Sequence, residues 1–416
     1  MIDLTLYAVV LATWLGLRLF FSRRNRPPPM AWWFGTRAGV IATYNEDPAV
    51  LAACVASMSG QVDELWVVDD GSAVPAHVFP NTRHVRFDVN MGKRSALAHV
   101  IERTAAEVIV TVDSDTVVEV GGVRTLVSAF SDHRVHAATG VVRATNSQHN
   151  MLTRLIDLRY AAAFLGERAA YSAFGSVLCC CGSLAAYRVA TVLPYMHDLT
   201  HQRLLGRRVA GGDDRRMTNY ALLSGRAVLV EGARATTLVP ERLSHFLRQQ
   251  TRWSRSFLRE TLWALAHLRG RARALATIEL GVQVALTAGV VVGVLRMAGG
   301  LPLWTYLLWT GIAAMARMSP AMRVRGKRPP LLLAPLYGLL HIVVLMPLRV
   351  WAFATVRDGS WLTRDQVEVA LPIVDALAKV KGSVTVGPLF TPDARNRIDL
   401  GAGAIGGGGA VEVLLP

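Results

Sequence analysis

A chain of 416 residues with 52% hydrophobic and only 18% charged residues is too apolar for a wholly soluble enzyme of ordinary composition. Its net charge of +15 does not form a nucleic-acid-binding face. It gathers beside apolar runs, in Arg23, Arg24 and Arg26 and again in Arg323, Arg325, Lys327 and Arg328, as cytoplasmic loops beside a bilayer do.

In chain order, Ile2 to Phe21 is an apolar run of about one bilayer thickness. It lacks a basic segment before it and a small-residue cleavage site after it, so it reads as a retained anchor (residues 1–24), with Arg18 snorkelling. Pro27 to Pro29 make a stiff linker. From Arg37, short apolar runs alternate with helical stretches. Gly39–Thr43, Leu65–Val68 and Val108–Val112 read as strands, with helices predicted over Pro48–Met58 and Lys93–Arg103. Continuously apolar strands with intervening helices predict an α/β domain, residues 37–242, built on a mostly parallel, Rossmann-like sheet. Ligands of such sheets bind at the carboxyl ends of the strands. All three ends here are polar: Tyr44-Asn45-Glu46, Asp69-Asp70 and Asp113-Ser114-Asp115.

Leu243 to Leu268 carries apolar residues at helical spacing together with Arg248, Arg252, Arg255 and Arg259, which predicts a helix in the membrane interface (residues 243–271). Residues 273–356 hold spanning candidates at Ala274–Val294, Leu301–Met315 and Leu331–Ala354. The last contains Pro335, His341 and Pro347, which predict a kink or break. Residues 357–416 form a tail, expected to be disordered over Thr391–Pro416. The four cysteines, Cys54 and the run Cys179 to Cys181, have neither disulfide-framework nor zinc spacing, so reduced thiols are expected.

The chemistry-bearing residues each admit a plain structural use as well. Asp113-Ser114-Asp115 suits a divalent cation gripping a diphosphate, or caps a turn. Asp69-Asp70-Gly71-Ser72 suits recognition of a nucleoside, or forms an Asx-turn. Lys93, after Gly92, offers a charge to a phosphate at a helix N-terminus. Gly212-Asp213-Asp214 supplies a general base, or an ordinary helix cap. Gln249-x-x-Arg252-Trp253 grips a diphosphate and stacks on a sugar, or is an amphipathic surface with an interfacial tryptophan.

In this order the motifs resemble the processive, inverting GT-A glycosyltransferases of family 2, over about Ala38 to Arg364. Glu167-Arg168-Ala169, Cys179-Cys180-Cys181-Gly182, Tyr187-Arg188 and Arg248 to Ser256 are most similar to hyaluronan synthases and nodulation-type chitin-oligosaccharide synthases. Asp213-Asp214-Arg215 with Thr218-Asn219 resembles the hyaluronan side. Trp361-Leu362-Thr363-Arg364 departs from that branch's Trp-Gly-Thr-Arg, and Ser183 stands where proline is usual.

The resemblance implies a UDP-sugar donor, a growing glycan acceptor and Mg²⁺ or Mn²⁺, with the catalytic domain on the cytoplasmic side of the plasma membrane. Asn45, Glu46, Asp69 and Asp70 would line the uridine pocket, with Lys93 and Gln249 also toward the nucleotide. Asp113 and Asp115 would hold the metal. Asp214 would be the base with Asp213 beside it, Arg252 would steady UDP, Trp253 would support the acceptor, and Arg364 would gate the nucleotide. Three spans after a cytosolic domain would carry Arg364 to the far side, so either one apolar stretch is re-entrant or Arg364 has no gating role.

Overall fold

The computed structural model describes residues 4–25, 33–300 and 302–359. Helix α1 (Leu4–Ser22) leads into an eight-stranded mixed sheet. Its strands are β1 (Arg37–Thr43), β2 (Glu64–Asp69), β3 (Arg83–Arg86), β4 (Val108–Asp113), β5 (Thr116–Val118), β6 (Val135–Ala144), β7 (Ala185–Arg188) and, after the hairpin β8 (Arg203–Leu204)–β9 (Arg207–Arg208), β10 (Arg226–Thr237). The order is β3-β2-β1-β4-β7-β6-β10-β5. The first four strands are mutually parallel, while β7 runs antiparallel to both β4 and β6. The three sequence-predicted strands are β1, β2 and β4. Their branched side chains Val40, Ile41, Val67, Val68, Val108, Ile109 and Val110 are all buried, because helices cover both faces.

Those helices are α2 (Pro48–Met58), α3 (Lys93–Ile101), α4 (Gly122–Val127), α5 (Met151–Ala162), α6 (Ala169–Ser172), α7 (Val189–Val192), α8 (Met196–His201) and α9 (Asp213–Ser224). Asp47 caps α2, its carboxylate accepting from the N–H groups of Ala49 and Val50, and Pro48 fits the first helical position. A π-turn over Ala163–Arg168 joins α5 to α6.

Five more helices follow among the described residues: α10 (Leu243–His267), α11 (Gly270–Ala298), α12 (Leu303–Met318), α13 (Ala334–Leu340) and α14 (Met346–Ala354). A π-turn over His341–Leu345 separates the last two, where the sequence predicts a break. Among the described residues two stretches, Gly270–Ala298 and Leu331–Ala354, are long and apolar enough to cross a membrane. Two expectations are corrected. Arg18 does not snorkel: it is buried, 3.2 Å from Glu167. The basic stripe of α10 is not all turned to headgroups, because Arg255 and Arg259 are buried and bond residues 355–358. Arg364 and the tail expected to be disordered lie outside the described residues.

Ile109 sits at the centre of the sheet with no exposure. Ile109→Ala should cost about 2–5 kcal/mol, while Val74→Ala, at an exposed loop position, should change stability by less than about 0.5 kcal/mol. Thermal melting of the detergent-solubilised protein checks both.

Candidate active site

The carboxyl ends of β1 and β4 open into a cavity of about 520 Å³. Its floor is acidic. The Ser114 hydroxyl donates to Glu46 at 2.6 Å. Asp115 accepts from Thr237, at the end of β10, at 2.8 Å. Asp113 accepts from Ser183 at 2.8 Å and pairs with Lys93. Burial, then the charges of Asp113 and Glu46, push the Asp115 carboxyl up to about 7. Burial raises Glu46 as well. Burial opposes the charge of Asp113, but Lys93, Ser183 and Arg252 outweigh it and hold that carboxyl below its usual range.

Lys93 is the ammonium at the centre of this cluster. It opens α3 behind Gly92, whose φ of +92° a side chain would resist. Its Nζ lies between Asp113 and, at 3.5 Å, Asp213. Burial alone would lower its pKa; the charges of Asp113 and Asp213 more than reverse that.

Asp213 and Asp214 form the first turn of α9, where the helix dipole favours negative charge. Asp214 accepts from its neighbour's N–H at 2.8 Å and from the Cys179 thiol at 3.3 Å. Burial, then Asp213, raises its pKa, which suits a carboxylate that must take up a proton. From α10, Gln249, Arg252 and Trp253 line the same cavity. Trp253 is half-exposed, its ring 6.4 Å from Tyr160, and the Gln249 side-chain oxygen has no hydrogen-bond partner among the described residues.

Asn45, Asp69 and Asp70 stand just behind the lining. Asn45, at φ +50°, donates its N–H to Ser72 and accepts from Ala73. Asp69 accepts from Ser72 and Ala76 and pairs with Arg86. Asp70 accepts from Met91 and Gly92 at 2.7 and 3.0 Å. Together they lock the two loops that present Glu46 and Lys93. Arg364 lies outside the described residues.

Other lining residues had only faint sequence signals. Arg159, Glu167 and Arg168 project from the α5–α6 region, and Gln283, Tyr337 and Arg349 from the apolar helices. Glu167-Arg168 and the cysteine run stand out in the sequence without a stated role. Cys179 and Cys181 line the cavity and Cys180 packs in the core, all as free thiols.

The donor set fits a hard divalent cation. Glu46, Asp113 and Asp115 are carboxylates crowded together with Lys93 as the paired cation, and hard cations take oxygen ligands. Among the described residues no three acidic, histidine or cysteine side chains form a ready cage. An ion sharing its coordination with ligand phosphates needs no such cage.

Residues 40–192 match the family described as Glycosyl transferase family 2. The hyaluronan synthase of Streptococcus pyogenes is 36% identical over 383 residues, covering 88% of this chain and 91% of that protein. The chain belongs to glycosyl transferase family 2. The N-acetylglucosaminyltransferase of Neorhizobium galegae is 34% identical over 385 residues, 86% of this chain and 88% of that protein. A mannosyltransferase from Pyrobaculum calidifontis, solved with GDP-Man and Mn²⁺, superposes with a TM-score of 0.55 at 18% identity, covering 82% of this chain and 99% of that one. At that identity the likeness speaks to the fold, and the mixed sheet is the GT-A architecture. This family 2 glycosyltransferase is a hexosyltransferase.

Gly212 ties α9 to α10. A Cβ there would lie 2.2 Å from the Ser256 hydroxyl, and its φ is +90°. Gly212→Ala should lower sugar transfer more than about tenfold, given the roughly 1–3 kcal/mol strain of such a backbone and the displaced acids. Adding Ser256→Gly should restore part of it. Initial rates of the single and double variants decide.

Proposed function

We propose that this family 2 enzyme is a processive, inverting synthase. It polymerises UDP-N-acetylglucosamine with UDP-glucuronate into a β-linked polysaccharide at the cytoplasmic face of the plasma membrane. Residues 1–24 anchor it, 37–242 catalyse, 243–271 form the interface helix, 273–356 contribute the membrane helices, and 357–416 begin as a gate-like segment carrying Arg364. The observation that carries this reading is continuity. One cavity is lined by Asp113 and Asp115, by Asp213 and Asp214, by Trp253, and then by Gln283 and Arg349 on the apolar helices. A product built at the acids can leave along the helices without crossing open solvent.

Asp214 takes the proton of an acceptor hydroxyl. The freed oxygen attacks the anomeric carbon from the face opposite the diphosphate. The new C–O bond forms as the bond to phosphate breaks, UDP departs with the electron pair, and an α-linked donor becomes a β-linkage. Asp115, with Asp113, would hold Mg²⁺ or Mn²⁺, which supplies Lewis-acid neutralisation of the departing diphosphate. Arg252 steadies that leaving group from α10 and Lys93 holds the acids in register. Glu46 faces the nucleotide, braced by Asn45, Asp69 and Asp70, with Gln249 at its edge. Trp253 offers a flat face to the acceptor sugar, and Asp213 keeps Asp214 basic.

Asp214→Asn should lower transfer by about 10²–10⁴-fold with UDP affinity nearly unchanged, read by initial rates and by UDP titration. Retained turnover would remove Asp214 from the role of base. Membranes supplied with each labelled UDP-sugar alone and in pairs identify the product. Strict dependence on glucuronate, with a long product ladder, is the expected outcome. Incorporation from UDP-N-acetylglucosamine alone would instead assign a chitin-oligosaccharide product, as the N-acetylglucosaminyltransferase relatives suggest. A single added sugar would indicate transfer to a lipid carrier.

A further inference from the structure

Sugar transfer gives the run Cys179-Cys180-Cys181 no task, yet the structure fastens each of its residues through the backbone. The Arg168 guanidinium donates to the Cys179 carbonyl at 3.0 Å. The Cys180 N–H donates to the Thr218 hydroxyl at 2.9 Å, and the Cys181 N–H donates to the Thr139 hydroxyl at 3.2 Å. The path of the chain therefore sets where the side chains point. Cys180 turns into the core, and Cys179 turns to Asp214.

Asp214 is clamped from the same side. Its carbonyl accepts from the Thr218 hydroxyl at 2.6 Å, so a single oxygen, Oγ1 of Thr218, bonds both the acid and the cysteine run. The Tyr187 hydroxyl lies 3.4 Å from the carbonyls of Cys180 and Asp214 alike. The two carboxylate oxygens have different settings. Oδ1 accepts from the Arg215 N–H at 2.8 Å, within the first turn of α9. Oδ2 accepts from the Cys179 thiol at 3.3 Å. Among the described residues no other side chain donates a hydrogen bond to this carboxylate, so the thiol is the contact from outside α9 that fixes its rotation.

The chemistry of that donor matters. A strong donor to a carboxylate favours the charged form and weakens it as a base. A thiol is a weak donor, so it orients Oδ2 at little cost in basicity. Cys179 is also kept as a thiol, because burial, then the charge of Asp214, pushes its pKa well above the ordinary range. The other groups acting on Asp214 are charged. Asp213 and Arg215 flank it on α9, Arg215 pairing in turn with Glu279 of α11 at 3.4 Å. Lys93 reaches it from α3, and Arg252 of α10 lines the same cavity. Replacing Cys179 removes a hydrogen bond to Asp214 and leaves this set of charges intact.

We propose that Cys179 is a positioning residue for sugar transfer: its thiol turns the Asp214 carboxylate into the cavity and steadies it as a weak donor. This rests on the reading of Asp214 as the general base. The proton of the acceptor hydroxyl still goes to Asp214, and the thiol keeps its own.

The test uses the full chain in detergent, with Cys179→Ser, which keeps a donor, and Cys179→Val, which fills the space without one. The pH dependence of kcat/KM is measured, because its acid limb reports the base of the free enzyme. A carboxylate base acts only when ionised, so transfer falls as pH drops through its pKa, and loss of a donor raises that pKa. In Cys179→Val the acid limb should move up by about 0.5–1 in pH. Its kcat should fall about tenfold through lost orientation, with KM for the UDP-sugars changed less than about twofold. Cys179→Ser should return the limb to its parent position or below and recover part of kcat. Thermal melting checks folding, and Cys179→Ala, which removes only the sulfur, carries the same expectation as valine if valine disturbs the fold. An acid limb unmoved in all three variants, or a kcat that falls equally in Cys179→Ser and Cys179→Val, overturns the proposal and leaves Asp214 as the base. Retained turnover in Asp214→Asn removes the base itself, and the proposal with it.

Discussion

One ammonium group holds the catalytic end of this enzyme together. Lys93 sits between Asp113, at the end of β4, and Asp213, at the start of α9, and so joins the sheet to the helix that carries Asp214. Breaking a buried pair by removing one partner typically costs about 3–5 kcal/mol, because a charge is left without compensation. Here Asp113 and Asp213 share the Lys93 ammonium, with Arg252 also acting on Asp113, while Glu46 and Asp115 crowd the same end of the cavity. Such crowding suits a hard divalent cation, and burial followed by the charge of Asp213 raises the Asp214 carboxyl.

The surroundings keep this cluster in register. Asn45, Asp69 and Asp70 spend their hydrogen bonds on loop backbone, fixing Glu46 and Lys93 from behind. Gly212 lets α9 approach Ser256 of α10, so the acids and the Gln249–Trp253 segment share one wall. The arginines of α10 divide their tasks. Arg252 faces the cavity, while Arg255 and Arg259 hold the segment after α14. A helix that by composition resembles a membrane-surface peptide thus fastens the residues that follow α14.

Much of this was legible in the sequence for a physical reason. Apolar runs of β-branched residues such as Val108–Val112 have few alternatives to a buried strand, and a parallel strand presents its carboxyl end to ligand. The break near His341 was legible because Pro335 and Pro347 interrupt a helix. What stayed hidden depends on long-range pairing. The placement of β7 and β6 antiparallel to each other, and of Thr237 beside Asp115, arises from strands far apart in the chain. Ser183 was noticed only as a departure from proline, yet its hydroxyl bonds Asp113, which proline could not do. The inward turn of Arg255 and Arg259 was equally hidden, because helical periodicity assigns a face and not the partner of that face.

The central claim is that these acids are short of one divalent cation, which the nucleotide helps to hold. Mn²⁺ titration of the purified enzyme with and without UDP, followed by electron paramagnetic resonance, tests it most directly. One UDP-dependent Mn²⁺ per chain is predicted. Its affinity should fall more than tenfold in Asp115→Asn and stay unchanged in Asp132→Asn, a carboxylate paired with Arg134 on the surface. Absence of UDP-dependent Mn²⁺ binding, or binding indifferent to Asp115, would contradict the account.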